Sequence, residues 1–338
     1  MKGKKTGMRS LNRDLVNPAS LPDPTTKVSV VQTHISTVFV ADEFVYKVKK
    51  PVNFGFLDFS TLEKREYYCH QEVKLNRRLS KDIYLDVLPV NLYRDKYTMT
   101  GGLGEVAEFA VKMKRIPDDK LMKSIFARGE ISSNHLKRIA DVLGGFHENA
   151  LRGPEIDLFG EPERVKVNTD ENFHQVEKYV GTTIPENEFR GIKEWTEDFY
   201  KANRGLFMER LRDGRIRDCH GDLHMEHICL TKDLPIIDCI EFNERFRYGD
   251  TVSDIAFLLM DLEYHGGHRF SKILWDDYKR AAKEGDVDLL LTFYKVYRAF
   301  VRGKVNSFQV DDKAIGNDKK EAAVKRARRY FQLAGSYI

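Results

Sequence analysis

Long hydrophobic runs are missing from this 338-residue sequence. The longest uninterrupted apolar stretch, Ile255–Met260, has six residues, whereas a membrane-spanning helix needs about 20. The segment Met1–Thr6 is basic and lacks the apolar core of a secretory signal peptide. The sequence therefore predicts neither a membrane-spanning segment nor an export signal.

Cysteine is scarce, with four residues in the chain. Cys219, Cys229 and Cys239 recur at intervals of ten residues, without the paired C-x-x-C spacing of zinc ribbons. So few cysteines in a chain of this length do not make a disulfide framework. We therefore expect reduced thiols and a cytoplasmic protein.

The chain also lacks a broad excess of charge of one sign. Its net charge of +4 comes from the two ends, because residues 1–26 contribute +3 and residues 319–338 contribute +5. The sequence between them is weakly acidic. A nucleic-acid-binding surface is therefore not expected in the body of the protein, although the basic last helix leaves an RNA-directed activity as an alternative.

Hydrophobic patterning divides the chain near residue 117. Residues 27–117 show the period-2 pattern of several strands around one helix, and residues 118–338 show mostly helical periodicity with a short strand-rich stretch inside it. Residues 1–26 contain three prolines and are predicted to form an extended arm. The pattern predicts an α+β protein of two lobes, a small strand-rich N-lobe and a larger, mostly helical C-lobe.

Five strands and one helix are predicted in the N-lobe: Val28–Val31, Thr37–Val40, Phe44–Val48, Tyr84–Val90, Ala107–Met113 and the helix 60–79. The sequence Gly101-Gly-Leu-Gly104, followed by Lys112, imitates a glycine-rich nucleotide loop and its lysine. The spacing is too short for two strands and their turn, so we interpret Gly101–Gly104 as a hairpin turn.

Acidic and imidazole side chains concentrate in two neighbouring segments of the C-lobe. Cys219–His227 contains Asp222, and Ile236–Phe242 contains Asp238 and Glu241. These polar residues lie among apolar strand-forming residues, so their burial needs a cation or hydrogen bonds. Two separated aspartates suit phosphoryl transfer, in which one orients the attacking hydroxyl and the other holds Mg²⁺ on the nucleotide phosphates.

The motifs His220-Gly-Asp222-x-His224, Asp238-x-x-Glu241 and Asp250-x-x-x-Asp254 resemble the C-lobe signature of aminoglycoside phosphotransferase-like kinases, small-molecule relatives of the protein-kinase fold. The resemblance implies that Asp222 is the catalytic base and Asp238 a metal ligand. It gives Asp254 the task of bracing the catalytic loop. His220 belongs to the same catalytic segment. It is expected either to hydrogen-bond the backbone around the metal-binding aspartate or to bind a metal itself. Glu241 is expected to position metal or to cap a turn.

The N-lobe supplies the matching nucleotide site. The resemblance implies Lys47 as the lysine for the ATP phosphates and Glu72 as its helix partner, with Lys49 on the same strand face as the rival lysine. The corner Thr33–Ser36 is expected to form the nucleotide loop. ATP would then bind between the lobes with Mg²⁺, and the γ-phosphoryl group would pass to a hydroxyl of an unidentified small molecule.

The sequence is most similar to an uncharacterised bacterial branch of the family, over about residues 28–310. The shared segments include Lys47–Val52, Gly55–Leu62 and Asp238–Asn243. Some members of the branch are fused to a P-loop NTPase domain. No G-x-x-x-x-G-K-[ST] motif occurs in this sequence, so we expect that domain to be absent.

His227 departs from the family pattern, which has a metal-binding Asn at this position. Imidazole is a poorer ligand for Mg²⁺ than for Mn²⁺ or Zn²⁺. We therefore expect His227 either to bind a second metal, with Mn²⁺ as an alternative ion, or to leave that role to Glu226.

Two other functional classes remain open at this stage. The three imidazoles of His220, His224 and His227 also suit a divalent-metal phosphoesterase, and a pseudokinase that binds nucleotide without turnover fits the same motifs. Arg298, Arg302 and Lys304 on the predicted helix 286–309 either line an anionic substrate site or form a solvated face.

Overall fold

The computed structural model describes residues 10–312 and 315–338. They divide into two compact units that are interleaved in sequence. The first comprises the described residues up to Gly129 together with Glu226–Glu244, and the second comprises Glu130–Met225 and the described residues from Arg245 onward. The segment that carries Asp238 therefore belongs to the strand-rich unit, although it lies far along the chain from the strands.

Six antiparallel strands form the sheet of the first unit, in the order β1-β2-β3-β6-β4-β5. One long helix, α2 (Leu62–Asn76), follows the third strand and begins at the N-cap Thr61, whose side chain accepts from Lys64 N. The strands are β1 (Ser29–Gln32), β2 (Ser36–Val40), β3 (Phe44–Lys49), β4 (Tyr84–Tyr93), β5 (Lys96–Thr98) and β6 (Glu105–Lys114).

The two faces of this sheet pack against different hydrophobic cores. Because strand side chains alternate, Tyr46 and Val48 on β3 face one core, whereas Val45 belongs to the other. The second core also contains Cys69 and Val73 of α2. The lysines of β3 share the parity of Val45 and therefore lie on the face that α2 covers.

The first core corrects the expectation of an extended arm over residues 1–26. Residues 10–15 belong to the first helix, α1. Leu11, Leu15 and Leu21 are buried against Phe39 and other sheet residues. Fully burying one such side chain contributes about 1.5–3 kcal/mol, which favours packing over an exposed arm. Residues 1–9 of the predicted arm lie outside the described residues.

All five predicted strands are present, but β5 was not anticipated. Arg94 and Asp95 connect β4 to β5 with positive φ angles of 48° and 60°, a backbone geometry usually marked by Gly or Asn in the sequence. The glycines of Gly101–Gly104 then connect β5 to β6, with positive φ at Gly101, Gly102 and Gly104. This segment is therefore a turn, as predicted.

Helices dominate the second unit, whose two short strands β7 (Ile216–Asp218) and β8 (Tyr248–Asp250) pair antiparallel. Every residue of α10 (Thr251–Tyr264) is buried, which explains the apolar run noted in the sequence. The longer helices around it are α4 (Ser133–Asn149), α6 (Pro162–Val176), α7 (Glu186–Ala202), α8 (Arg204–Arg212), α11 (His268–Ala282), α12 (Asp288–Phe308) and α13 (Asn317–Gly335). Short helices complete the described chain: α3 (Met122–Ala127), α5 (Pro154–Asp157) and α9 (Glu244–Arg247).

Within residues 10–312 and 315–338, none of the helices combines the length and hydropathy that crossing a bilayer requires. All four cysteines are buried free thiols.

Candidate functional site

Two lysines of β3 meet one glutamate of α2 in the first unit. Lys47 Nζ lies 2.8 Å from Glu72 Oε1, and Lys49 Nζ lies 2.6 Å from Glu72 Oε2. Lys47 also contacts Asp238 Oδ1 at 2.7 Å. The structure therefore joins Glu72 to both lysines, so pairing with this glutamate does not by itself decide between them.

Exposure and partners distinguish the two lysines. The Lys49 side chain is completely buried, forms a second ion pair with Glu241 and lies 4.8 Å from the centre of the Phe59 ring. The Lys47 side chain is 15% exposed, and its second partner, Asp238, is 42% exposed. Lys47 therefore reaches the accessible edge of the cluster, whereas Lys49 lies entirely inside it.

The charges in this cluster stabilise one another against burial. Burial alone would raise the pKa of Glu72, but Lys47 and Lys49 outweigh it and hold that pKa below its ordinary value. Burial opposes the charge on Lys47, yet Asp238 and Glu72 raise its pKa well above the usual range. Both groups are therefore ionised at neutral pH.

A hairpin around residues 227–237 positions Asp238 in the first unit. Ile237 N donates to His227 O at 2.9 Å, and Cys239 N donates to Asn76 Oδ1 at the end of α2 at 2.8 Å. Asp238 N donates to the Tyr84 hydroxyl at 3.1 Å. Asp238 itself has a φ of +64°, a conformation that costs most side chains about 1–2 kcal/mol. The surrounding hydrogen bonds therefore hold its carboxylate in a defined orientation.

The other predicted residues of this hairpin differ in their surroundings. His227 Nε2 lies 3.5 Å from Asp238 Oδ2, so the structure brings the predicted metal pair together. Glu241 forms an ion pair with Lys49, a partner that neither sequence expectation for this residue had named. Burial raises the pKa of Glu241 although Lys49 opposes the shift.

The predicted nucleotide loop is the turn between β1 and β2. Thr33 Oγ1 accepts from Ser36 N at 2.9 Å and from Ile35 N at 3.3 Å, so this hydroxyl shapes the turn. The Ser36 side chain is buried, and Ser36 is the register partner of Lys49. A nucleotide contact by Thr33 or Ser36 stays a prediction.

In the second unit, Asp254 braces the predicted catalytic loop. Its Oδ2 accepts from His220 N at 2.9 Å, and its Oδ1 accepts from Gly221 N at 2.8 Å. Burial opposes the negative charge of Asp254. The hydrogen bond from His147, together with the electrostatic effect of His147, His220 and Arg298, nevertheless keeps the pKa of Asp254 well below its usual range. Gly221 has a φ of +87°, so the loop needs glycine at this position. The predicted bracing role of Asp254 is confirmed.

Further groups fix the same loop from other helices. His147 Nε2 is 3.1 Å from Asp254 Oδ2, and its Nδ1 is 2.7 Å from the Tyr278 hydroxyl. Arg298 donates to Gly221 O and to Ser253 O, both at 3.1 Å. Arg298 therefore supports the loop. It does not lie on a solvated helix face.

Asp222 lies at the tip of this braced loop. Its backbone N donates to His220 Nδ1 at 3.3 Å, which gives His220 a structural contact within the loop. Asp222 Oδ2 is 3.5 Å from His224 Nε2. Burial would lower the pKa of His224, but Asp222 raises it above its ordinary value. The Asp222 side chain remains 33% exposed, so its carboxylate is accessible from solvent.

Sequence reasoning missed several residues that position these groups. Tyr84 and Asn76 orient the Asp238 backbone, and His147 with Tyr278 supports Asp254. The one local signal for His147 was its position on the apolar face of the amphipathic helix α4, in line with Leu136, Ile139 and Leu143. The remaining contacts join residues far apart in the chain and leave no local signature.

Two solved structures match nearly the whole chain. A choline/ethanolamine kinase family protein from Mesorhizobium loti is 12% identical and aligns with a TM-score of 0.55 over 98% of this chain and 99% of its own. An amicoumacin kinase in complex with AMP-PNP, Ca²⁺ and Ami is 14% identical, with a TM-score of 0.55 over 98% and 96%. This chain has a protein-kinase-like fold. The predicted α+β class, with a small strand-rich lobe and a helical lobe, is confirmed, and the kinase-like fold takes the form found in small-molecule kinases.

The curated sequence relatives of this chain are named as uncharacterised proteins. Proteins of Mycobacterium tuberculosis and Mycobacterium bovis are 33% identical over 304 residues, which cover 89% of this chain. The chain spans 58% of the length of these relatives. No protein-family model matches the chain. The predicted similarity to an uncharacterised bacterial branch agrees with these matches.

Proposed function

We propose that this protein is an ATP-dependent phosphotransferase that moves the γ-phosphoryl group of ATP to a hydroxyl of a small molecule. The observation that carries the proposal is the braced loop of the second unit, in which Asp254 accepts both the His220 and Gly221 amides. That bracing holds Asp222 at the loop tip with its side chain 33% exposed, and a hydroxyl-orienting base needs such a fixed, accessible carboxylate.

Lys47 supplies the phosphate-binding cation in this proposal. Its ammonium is charged, partly exposed and held by Glu72. Lysine acts on phosphates as a point charge, and a lysine fixed by a buried carboxylate keeps that charge in one place. Lys49 has the same partner but no exposure, so we assign it to the support of Glu72.

The residues around Asp238 fit a divalent cation. The Asp238 carboxylate is 42% exposed, and hydrogen bonds from its backbone fix it in a left-handed conformation. Carboxylate oxygens are the ligands that Mg²⁺ prefers, and His227, 3.5 Å away, adds a donor better suited to Mn²⁺. A bound cation would neutralise charge on the ATP phosphates, and Asp238 with His227 would hold it.

The proposed reaction leaves little covalent chemistry to the protein. Asp222 orients the acceptor hydroxyl and takes its proton, and His224 next to it stabilises the ionised carboxylate. Positioning and charge neutralisation provide most of the acceleration in phosphoryl transfer. The names of the two structural neighbours, a choline/ethanolamine kinase family protein and an amicoumacin kinase, support a small-molecule acceptor.

ADP release from ATP and Mg²⁺ in the absence of an added acceptor tests the proposal. Kinases of this kind transfer the phosphoryl group slowly to water, so wild-type protein should release ADP and Asp222→Asn should do so about 10²–10⁴-fold more slowly. A parallel assay without ATP uses bis-p-nitrophenyl phosphate. Cleavage of that diester would favour the phosphoesterase alternative, and ATP binding without turnover would favour the pseudokinase.

A further inference from the structure

Arg302 of α12 and two arginines of α13, Arg326 and Arg329, lie around Tyr264 in the second unit. Arg302 is on α12, one helical turn after Arg298, and Arg298 donates to Gly221 O next to Asp222. Residues four apart lie on the same helix face. Arg302 therefore lies on the same face of α12 as Arg298, the face that contacts the catalytic loop.

Two stacked tyrosines hold the guanidinium groups in place. The rings of Tyr264 and Tyr330 are parallel within 9° and 3.7 Å apart. Arg302 lies 5.6 Å from the centre of the Tyr330 ring, and Arg329 lies 4.5 Å from that of Tyr264. Guanidinium groups stack well on aromatic faces, and stacking leaves their N–H edges available for a ligand.

The hydrogen-bond partners of these arginines are neutral. Arg326 donates to the side-chain amide oxygens of Asn306 and Gln309 at 2.9 and 3.1 Å, and Arg329 donates to the Tyr264 carbonyl at 3.1 Å. Among the residues that the structure describes, Arg302 Nε is buried without a hydrogen-bond partner. A buried guanidinium N–H normally has an acceptor, so this donor is available for a ligand that brings one.

Two carboxylates belong to the same neighbourhood. Burial opposes the charge of Arg302, but the Tyr330 hydroxyl, Asp222 and Asp261 together raise its pKa. Asp261 accepts from Met225 N at 3.0 Å and is 3.8 Å from His265, so it is already engaged by the loop. Arg302 therefore lies within the electrostatic reach of Asp222, and Asp261 is held by another donor.

We propose that Arg302, assisted by Arg326 and Arg329, binds an anionic group of the acceptor, so that the molecule phosphorylated here is a hydroxyl compound with a carboxylate or phosphate of its own. The planar fork of arginine matches both groups in bidentate geometry. This inference rests on the proposed phosphotransferase function and specifies its acceptor. Bound to Arg302, the anionic group places a hydroxyl of the same molecule beside Asp222, which takes its proton as the oxygen attacks the γ-phosphorus and ADP leaves.

Binding of inorganic phosphate to the full chain tests the site without any reaction. Isothermal titration calorimetry on wild-type protein should detect binding, and Arg302→Gln should weaken it about tenfold or more because a charged donor is lost. Arg190→Gln, which changes an exposed arginine of α7, is the matched control and should bind like wild type. Lys47→Met should also retain this binding, which separates it from the proposed ATP site. No binding, or equal binding by Arg302→Gln and Arg190→Gln, would overturn the anion site.

Transfer from labelled ATP tests the acceptor class. A metabolite extract is first divided on an anion-exchange column, and each fraction is then incubated with the protein. Label should enter compounds of the retained, anionic fraction, with a KM raised in Arg302→Gln and restored in part by Arg302→Lys. Transfer only to the unretained neutral and cationic compounds would overturn the inference. If no fraction accepts label, the proposed phosphotransferase function fails, and phosphate titration alone judges the anion site.

Discussion

The two lysines of β3 should differ sharply when each is replaced by Met, which keeps the length and apolar stem of the side chain. Lys49 is fully buried between Glu72 and Glu241. Removing it leaves two carboxylates close together in the interior, and breaking a buried ion pair by removing one partner costs about 3–5 kcal/mol. We therefore expect Lys49→Met to lower the free energy of unfolding by about that amount.

Lys47→Met should have the opposite profile. Its loss leaves Glu72 paired with Lys49, and Asp238 is exposed enough to be solvated, so the cost in unfolding free energy should be about 1–2 kcal/mol. The phosphate-binding charge is lost, however. Removing one such group from an active site lowers kcat about 10²–10³-fold, whereas folded Lys49→Met should retain most of its activity.

Urea unfolding at pH 7 and ATP turnover at low temperature measure the two effects separately. Lys96→Met, which changes an exposed lysine on the edge strand β5, should alter the unfolding free energy by less than about 0.5 kcal/mol. The reasoning is refuted if Lys47→Met destabilises as much as Lys49→Met. It is refuted equally if Lys49→Met loses more activity per folded molecule.

Two further substitutions each test one group of the site, Asp254 in the second unit and His227 in the first. Asp254 has a folded-state pKa below its ordinary value of 3.8, so its stabilising charge is fully present above that pH and is lost as pH falls toward the folded-state pKa. The unfolding free energies of wild type and Asp254→Asn should therefore differ most near neutral pH and converge below about pH 4; a gap that is constant with pH would contradict the bracing role. His227→Asn should raise the ratio of kcat/KM in Mg²⁺ to that in Mn²⁺, because imidazole is replaced by an amide oxygen; an unchanged ratio would show that His227 is not a metal ligand.

The parts of the site that the sequence could predict are those encoded within a few consecutive residues. Asp222 and Asp254 were identified from short motifs; in the second unit Asp222 lies on the loop that Asp254 of α10 braces. The strands of the sheet were predicted because period-2 alternation is also local. Lys47 and Glu72 were paired correctly because the strand and the helix follow each other in the chain.

Contacts between segments far apart in the chain could not be predicted from the sequence. The ion pair of Lys49 with Glu241 joins residues 192 positions apart, and it depends on the return of a late segment to the first unit. Glu241 was consequently assigned to a metal or a turn. Strand β5 was missed for a local reason, since its turn has Arg94 and Asp95 where positive φ angles usually require Gly or Asn.

The burial of the N-terminal leucines shows the same difficulty. Prolines in residues 1–26 indicated an extended arm, and Leu11 and Leu15 are too few to show a helical period. The leucines pack on the sheet face that carries Phe39 and Tyr46, and this face exists once the strands have paired. Tertiary burial therefore overrides a weak local preference.

The most direct test of the central claim is the fate of the γ-phosphate of ATP. The protein is incubated with γ-labelled ATP, Mg²⁺ and a complete metabolite extract, and the labelled products are separated and identified by mass spectrometry. The account predicts a discrete phosphorylated hydroxyl compound that wild-type protein and Arg190→Gln form and that Asp222→Asn forms at least about 10²-fold more slowly. Equal labelling by wild type and Asp222→Asn, or the absence of any labelled hydroxyl compound, would contradict it.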